Sequence, residues 1–233
     1  MFAIARKEPS ALLLAGQLLG VLLYPFMEDS DVGRALFSMF GIAILGLVVL
    51  AVRSSPGLTW VSVLLGIPAT VLLLIQAVTG DDNLLPYSSA FESALYFYAA
   101  GALIAYMLSD QRITRDELFA VGATFTLVAW AFAYAYIVCQ SIYPESFTAA
   151  NNAAADRTWV ELLFLSFTTL SSTGLSDIVP VRPFARSLSM LEQIAGLAYV
   201  AMVVSRLVAL TVLRPHDPTP RDEQIDEEHI RRA

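Results

Sequence analysis

The residues best suited to bind an ion lie in a run of small hydroxyl side chains that ends in a glycine, Ser-Ser-Thr-Gly at residues 171–174. Backbone carbonyl and hydroxyl oxygens in such a run can replace the water around a cation. The run follows an apolar segment, Trp159–Leu170, which the spacing of Thr158 and Glu161 predicts to be a helix opened by a capping box. The C-terminal end of that helix would direct partial negative charge at the run, which favours a cation.

The elements that must position this run are long apolar segments. Six of them can form helices that cross the roughly 30 Å core of a bilayer. They are residues 10–27, 34–52, 58–78, 85–108, 118–140 and 183–213. Trp159–Leu170 is too short to span and is predicted to be re-entrant. Non-helical backbone at membrane depth is tolerated only where protein buries it or where it lines a water-filled path.

The composition excludes several classes of protein. Hydrophobic residues make up 57% of the 233 residues and charged residues only 15%, whereas a soluble domain carries about 25% charged residues. This argues against a soluble enzyme and a disordered regulator, and the net charge of −7 argues against a nucleic-acid binder. A single cysteine, Cys139, excludes a disulfide framework or cysteine zinc site, and both histidines, His216 and His229, lie in a polar tail.

The distribution of arginine and lysine predicts the orientation. With both termini in the cytoplasm, nine such residues fall inside and four outside, as the positive-inside rule requires. Arg6 and Lys7 before an apolar run could open a secretory signal peptide. An uncleaved first span is favoured, because no small-x-small cleavage site precedes the charged turn at Glu28. We therefore expect a multi-pass protein of the cell membrane. No internal repeat supports a transporter built from inverted halves.

Residues 166–180 resemble the pore helix and selectivity filter of potassium channels, commonly written TLTTVGYGDxxP. The matching residues are Thr169, Leu170, Ser171, Ser172, Gly174, Asp177 and Pro180. The following segment is similar to the inner helix of bacterial six-helix ion channels without a cytoplasmic domain, and residues 113–120 resemble the beginning of their outer helix. The resemblance covers about 100 residues, 113–213. The Ser-Thr-Gly-Leu-Ser pattern also resembles the pore loops of Trk/Ktr potassium transporters, but those proteins carry four loops in one chain.

The resemblance implies an all-α integral membrane fold, with six transmembrane helices, a re-entrant pore helix and a filter loop. Residues 1–112 would form a four-helix membrane domain, 113–214 the pore domain and 215–233 a polar cytoplasmic tail. One loop per chain implies a homotetrameric pore in the lipid bilayer. The implied function is passive conduction of potassium, without enzymatic activity, nucleic acid or a small-molecule substrate. The bound ion, and the only cofactor implied, would be potassium at Ser172, Thr173, Gly174 and Leu175.

The filter departs from the family in its outer half. Where the family reads Thr-Val-Gly-Tyr-Gly, this chain has Ser-Thr-Gly-Leu-Ser, a divergent STGLSD filter with Asp177. Ser172 keeps a hydroxyl, and Gly174 keeps easy access to positive φ. Leu175 loses the phenol that braces the filter. Ser176 replaces the second glycine, where a left-handed conformation would cost roughly 1–2 kcal/mol. We expect a reshaped outer mouth and weakened selectivity.

Three further residues each leave two interpretations open. Asp177 either attracts cations at the outer mouth or is an ordinary solvated acid. Gly196 is either a hinge of the inner helix or a site of close helix packing. Glu192 is either a functional ionisable group or a structural carboxyl that holds the inner helix to hydroxyls such as Ser166 or Thr168; the structural role is favoured.

The leading helices give weaker signals. The fourth span, residues 85–108, contains no arginine or lysine, so the charge ladder of a voltage sensor is absent and a scaffold is expected. Glu92 in this span has no assigned partner, and Arg206 is expected to snorkel to the interface. Two alternatives to a channel remain: a poorly conducting pore-fold protein that acts as a membrane scaffold or sensor subunit, and an ordinary extracellular loop at residues 172–177.

Overall fold

The structure is a computed structural model that describes residues 9–26, 31–53, 58–80, 82–109, 115–153 and 155–212. The predicted cytoplasmic tail with both histidines, the charged residues Arg6 and Lys7, and the acidic residues Glu28 and Asp29 lie outside the described residues.

Seven α-helices, two short 3₁₀ helices and one pair of strands make up the described part of the chain. The helices are α1 (Pro9–Leu23), α2 (Asp31–Arg53), α3 (Thr59–Thr79), α4 (Leu85–Ser109), α5 (Arg115–Ile142), α6 (Trp159–Leu170) and α7 (Pro183–Val212). The 3₁₀ helices are Tyr24–Phe26 and Asp82–Leu84, and the strands are β1 (Phe147–Ala149) and β2 (Ile178–Pro180). Each apolar run predicted to be helical is a helix in the structure.

Four helices within the described residues are long and apolar enough to cross a membrane. They are Thr59–Thr79, Leu85–Ser109, Arg115–Ile142 and Pro183–Ala209. The 15-residue α1 is shorter than the roughly 20 residues that a straight span takes. Such helices suit a bilayer because every interior backbone group is bonded within the helix. The protein is therefore an α-helical membrane protein.

Helix α5 is the centre of the packing, because α1, α4, α6 and α7 all contact it. Small side chains line much of its buried surface. They include Ala120, Ala123, Ala129, Ala131 and Ala133. In a membrane, such residues let helix backbones approach closely, and the resulting van der Waals contacts drive helix association. Helix α5 is therefore the main support of α6 and of the helices around it.

A cluster of aromatic rings joins the leading helices to α6. Trp159, the first residue of α6, packs edge-on against Trp130 with ring centroids 5.1 Å apart. The ring centroids of Tyr24 and Tyr134 lie 5.7 and 5.9 Å from that of Trp159. The ring centroid of Tyr96, on α4, lies 6.0 Å from that of Trp130. Such pairs contribute about 0.5–1.5 kcal/mol beyond the burial of their area, so this cluster fixes the start of α6.

The two strands form an antiparallel ladder that the sequence did not predict. Phe147 pairs with Pro180 and Ala149 with Ile178, and the amide of Val181 continues the contact by donating to the Ser146 carbonyl at 2.9 Å. The ladder ties the loop before α6 to the residues that follow the hydroxyl run. Strands this short carry almost no periodic signal, so only the approach of the two loops reveals them.

Candidate functional site

Helix α6 begins with the predicted capping box. The Thr158 side chain accepts a hydrogen bond from the Glu161 amide at 3.4 Å, and the Glu161 carboxylate accepts one from the Thr158 amide at 2.7 Å. Thr158 itself is extended, with φ −69° and ψ 162°, as a residue before the first helical turn should be. The predicted capping box is confirmed, and the helix ends at Leu170 as expected.

The residue before the capping box anchors α6 to the end of α5. The Gln140 amide nitrogen donates to the Arg157 carbonyl at 2.8 Å, and the Arg157 backbone N–H donates to the Gln140 side-chain oxygen at 3.1 Å. The guanidinium of Arg157 is buried, donates to the Asn152 carbonyl at 2.6 Å and pairs with Glu161 at 3.4 Å. The sequence analysis missed this anchor, whose only sequence signal is a single arginine before the capping box.

The chain reverses direction immediately after α6, in a Schellman motif. The amide of Ser172 donates to the Thr169 carbonyl at 3.1 Å, and the amide of Thr173 donates to the Thr168 carbonyl at 3.0 Å. This motif requires a left-handed residue just after the helix cap, and Ser172 takes that conformation with φ 59°. Positive φ in the hydroxyl run is therefore not confined to Gly174.

Gly174 has a φ of 64°, and its amide also donates to the Thr168 carbonyl, at 3.1 Å. Ser176 is not among the described residues with positive φ, so the cost of a left-handed conformation does not arise there. Its hydroxyl accepts a hydrogen bond from the Ile178 amide at 3.0 Å. The left-handed serine is Ser172, at the helix end.

The predicted filter residues form a largely exposed segment on the surface of the chain. Ser172, Thr173, Gly174 and Leu175 are exposed, and the side chain of Leu175 is the most open of the apolar side chains here, at 77%. Ser176 is half-buried and Asp177 is exposed. The structure thus leaves most of the predicted filter residues exposed on the surface of the chain.

Glu192 of α7 lies directly behind α6. Its side chain is fully buried and is hydrogen-bonded to the hydroxyls of Ser166 on α6 and Tyr136 on α5. Ser166 also bonds to the Ala129 carbonyl of α5 at 2.8 Å. Thr168, the other expected partner, donates to the Leu165 carbonyl instead, at 2.9 Å. Three helices therefore meet at one carboxyl group. The sequence analysis did not identify Tyr136 as one of its partners.

Gly196 marks the closest approach between α7 and α6. A Cβ atom placed on it would overlap the Leu170 carbonyl oxygen and would lie 2.8 Å from the carbonyl carbon. Only a residue without a side chain fits there, because real Cβ atoms essentially never approach backbone so closely. The structure thus places Gly196 in tight contact with the last residue of the pore helix.

The far end of α7 is joined to the start of α5. Arg206 pairs with Glu117 at 2.8 Å, with both side chains largely buried, and the Tyr199 hydroxyl donates to the Val121 carbonyl at 2.6 Å. The sequence analysis did not identify this acidic partner of Arg206. Glu92 is buried on α4, and one of its carboxyl oxygens has no hydrogen-bond partner among the described residues.

Comparison with known families identifies the region that contains this site. A family model described as "Ion channel" matches residues 122–212, from the first turns of α5 through α6 and the filter turn to the end of α7. No curated protein and no solved structure gives a significant match to the chain. The matched segment falls within the 113–214 pore region expected from the sequence.

Proposed function

We propose that this chain, whose residues 122–212 match a family model described as "Ion channel", assembles as a homotetramer that conducts potassium passively across the cell membrane. The observation that carries the proposal is the site itself. A capped half-helix within the channel domain ends at an exposed run of hydroxyl residues, and its C-terminal partial negative charge is directed toward that run. This arrangement suits a cation that exchanges its hydration water for protein oxygens.

A tetramer is proposed because one filter strand cannot enclose an ion. The outward surface of α7 supports this assembly, since it is exposed in the protomer and most of its residues are apolar. Its exposed residues include Leu191, Ile194, Leu197, Val200 and Val204. In the proposed tetramer this surface packs against neighbouring subunits and lipid, and the filter residues face a shared axis.

The proposed topology has six spans with both termini in the cytoplasm. Helices α1 and α2 complete the count, with α1 extended by the 3₁₀ helix Tyr24–Phe26. The first four helices act as a scaffold for the pore, because α4 and α1 pack on α5 and α4 contains no arginine or lysine to move in an electric field. The permeant potassium ion is the only bound species proposed, and no enzymatic step is involved.

Selectivity for potassium over sodium is proposed to be weak. The exposed Leu175 supports this, because it offers no hydrogen bond to hold the outer filter in place. Selectivity is a difference in free energy, and a tenfold preference corresponds to only about 1.4 kcal/mol. Losing one or two ordered sites therefore suffices to reduce a strong preference to a weak one.

The reversal potential under bi-ionic conditions tests the function. The purified protein is reconstituted into planar bilayers, with potassium on one side and sodium on the other. We expect currents whose reversal potential reports a modest preference for potassium. Rescue of potassium uptake in a transport-deficient host is the cellular counterpart. A tetramer that inserts in the membrane and carries no cation current contradicts the proposal.

A second candidate, a poorly conducting scaffold or sensor subunit with a pore fold, is favoured by one observation. The amides of Thr173 and Gly174 both fold back onto the Thr168 carbonyl, so the filter turn is more compact than an extended filter strand. The same reconstitution separates the two candidates, because only the channel conducts.

A further inference from the structure

Gln193 is a polar residue on the outward surface of α7. It is exposed in the protomer, as are its apolar neighbours Leu191, Ile194 and Leu197. A carboxamide that faced lipid would lack hydrogen-bond partners, at a cost of several kcal/mol. Gln193 therefore requires water or protein in front of it.

The structure places a cavity in front of Gln193. This cavity has a volume of about 350 Å³ and lies between α7 and the filter turn. Its polar lining comes from Thr168, Thr169, Ser172 and Gln193 itself, and Gly174 borders it as well. A pocket of this size with several polar groups can hold water molecules.

The side chains of Glu192 and Gln193 lie on different sides of α7. Glu192 is fully buried against Tyr136 and Ser166, whereas Gln193 is exposed beside the filter turn. Successive residues of an α-helix are rotated by about 100°, so the adjacent position necessarily leaves the buried side. The pair holds α7 behind the pore helix and presents a neutral hydrogen-bonding group below the filter.

We propose that Gln193 is a cation-contact residue of the pore: in the tetramer, four copies form a ring of carboxamide oxygens that holds a hydrated monovalent cation just below the filter. This proposal rests on the proposed function. An amide oxygen accepts hydrogen bonds from the ion's water shell or contacts the ion directly. Because the amide is uncharged, the ring attracts a divalent cation less strongly than a ring of carboxylates would. The pore-helix C-terminus, at the same cavity, adds favourable partial charge.

The decisive experiment measures block by Mg²⁺ applied from the cytoplasmic side, the side opposite Asp177, in potassium currents of the full-length tetramer. Gln193→Glu has the shape of the native residue and adds four negative charges around the cavity. We expect the Mg²⁺ concentration for half-block to fall about tenfold or more, since a divalent cation is attracted by every added carboxylate. Gln193→Met removes the polar atoms at similar length, and we expect a lower single-channel potassium conductance.

Ser187→Glu is the matched control. It adds the same charge to the same helix, but Ser187 lies in a separate groove beside Phe97 and Phe184, so Mg²⁺ block should equal that of the native protein. If the Gln193→Glu channel conducts and its Mg²⁺ block equals that of the native protein, this inference is wrong, but the proposed function stands. If that variant does not assemble, Gln193→Met decides, and a native conductance with a weakened tetramer shows that Gln193 packs between subunits. A native protein that carries no current overturns this inference together with the proposed function.

Discussion

The chemistry of the site depends on a few side chains whose hydrogen bonds can be counted. Ser166 has one hydroxyl hydrogen and two acceptors in contact, the Ala129 carbonyl and the Glu192 carboxyl. When Ser166 donates to Ala129, the hydrogen between Ser166 and Glu192 has to come from the carboxyl. Buried groups left without a partner cost about 1–3 kcal/mol each, so the state of this one carboxyl bears on the packing of three helices.

We predict that Glu192→Gln retains the stability of the tetramer and that Glu192→Leu loses it. Glutamine supplies both a donor for Ser166 and an acceptor for Tyr136, whereas leucine leaves both hydroxyls unpaired, at roughly 1–3 kcal/mol each. The measurement is the thermal midpoint of the detergent-solubilised tetramer. An equal loss in both variants would mean that a charged carboxylate is needed at this position.

Gly174→Val should abolish conduction without preventing membrane insertion. Gly174 has a φ of 64°, where a β-branched residue is strained, and its amide closes the filter turn. Gly80→Val is the matched control, because Gly80 also has a φ of 64° and open space around it, but lies after α3. Both variants carry similar backbone strain, of order 1–2 kcal/mol. Native currents in Gly174→Val, or loss of current in both, would remove the filter assignment.

The double variant Leu175→Tyr with Ser176→Gly should sharpen potassium selectivity. Tyrosine can supply a hydrogen bond that leucine lacks, and glycine removes the side-chain restriction on the outer turn. The expected result is a bi-ionic reversal potential shifted toward the potassium equilibrium value. The hypothesis fails if the native filter already excludes sodium strongly.

At the scale of elements, the contact between α6 and α7 determines how the filter is held. The two helices touch backbone to backbone at Gly196 and Leu170, and the polar contact through Glu192 lies one turn earlier on α7. The opposite end of α7 is joined to α5 through Arg206 and Glu117. A change in the position of α7 therefore displaces the end of the pore helix directly.

We predict that Gly196→Ala destabilises the tetramer, because the new methyl group would overlap the Leu170 carbonyl. The overlap is with backbone, which cannot rotate away, so a loss of about 1–3 kcal/mol is expected. Gly101→Ala in α4 is the control: nothing lies within 4 Å of its added Cβ, and alanine favours the helix by about 1 kcal/mol. Thermal midpoints of both variants measure the difference. If Gly196→Ala is as stable as the native protein and alters only channel opening, the hinge interpretation is correct.

At the scale of the whole molecule, the exposed filter residues and the apolar surface of α7 are both left uncovered by a single protomer. Helices α1 and α4 pack on α5, and the aromatic cluster around Trp130 and Trp159 joins the leading helices to α6. A site completed by copies of the same chain accounts for both surfaces with one symmetric arrangement.

The native mass of the detergent-solubilised complex tests this assembly. We expect four copies of the 25.4 kDa chain, because four filter strands are the number implied by the resemblance to potassium channels. Native mass spectrometry after mild solubilisation is the direct measurement. A monomer or a dimer as the sole species would contradict a filter shared around one axis.

The amino-acid sequence by itself determined the helices, including the short α6, and the capping box at Thr158. These depend on interactions within a few residues: the length of an apolar run, the spacing of a threonine and a glutamate, and the backbone freedom of Gly174. The sequence also predicted that Glu192 contacts a hydroxyl group of α6, but it left two candidates, Ser166 and Thr168.

Only the tertiary structure decided which of these partners meet. Ser172 rather than Ser176 takes the left-handed conformation, because the helix end and the following loop have to be joined in one turn. Tyr136 reaches Glu192 across 56 positions of the chain, and Arg206 reaches Glu117 across 89. Contacts over such separations depend on how the helices pack against one another, and helix packing leaves no local pattern in the sequence from which the partners can be read.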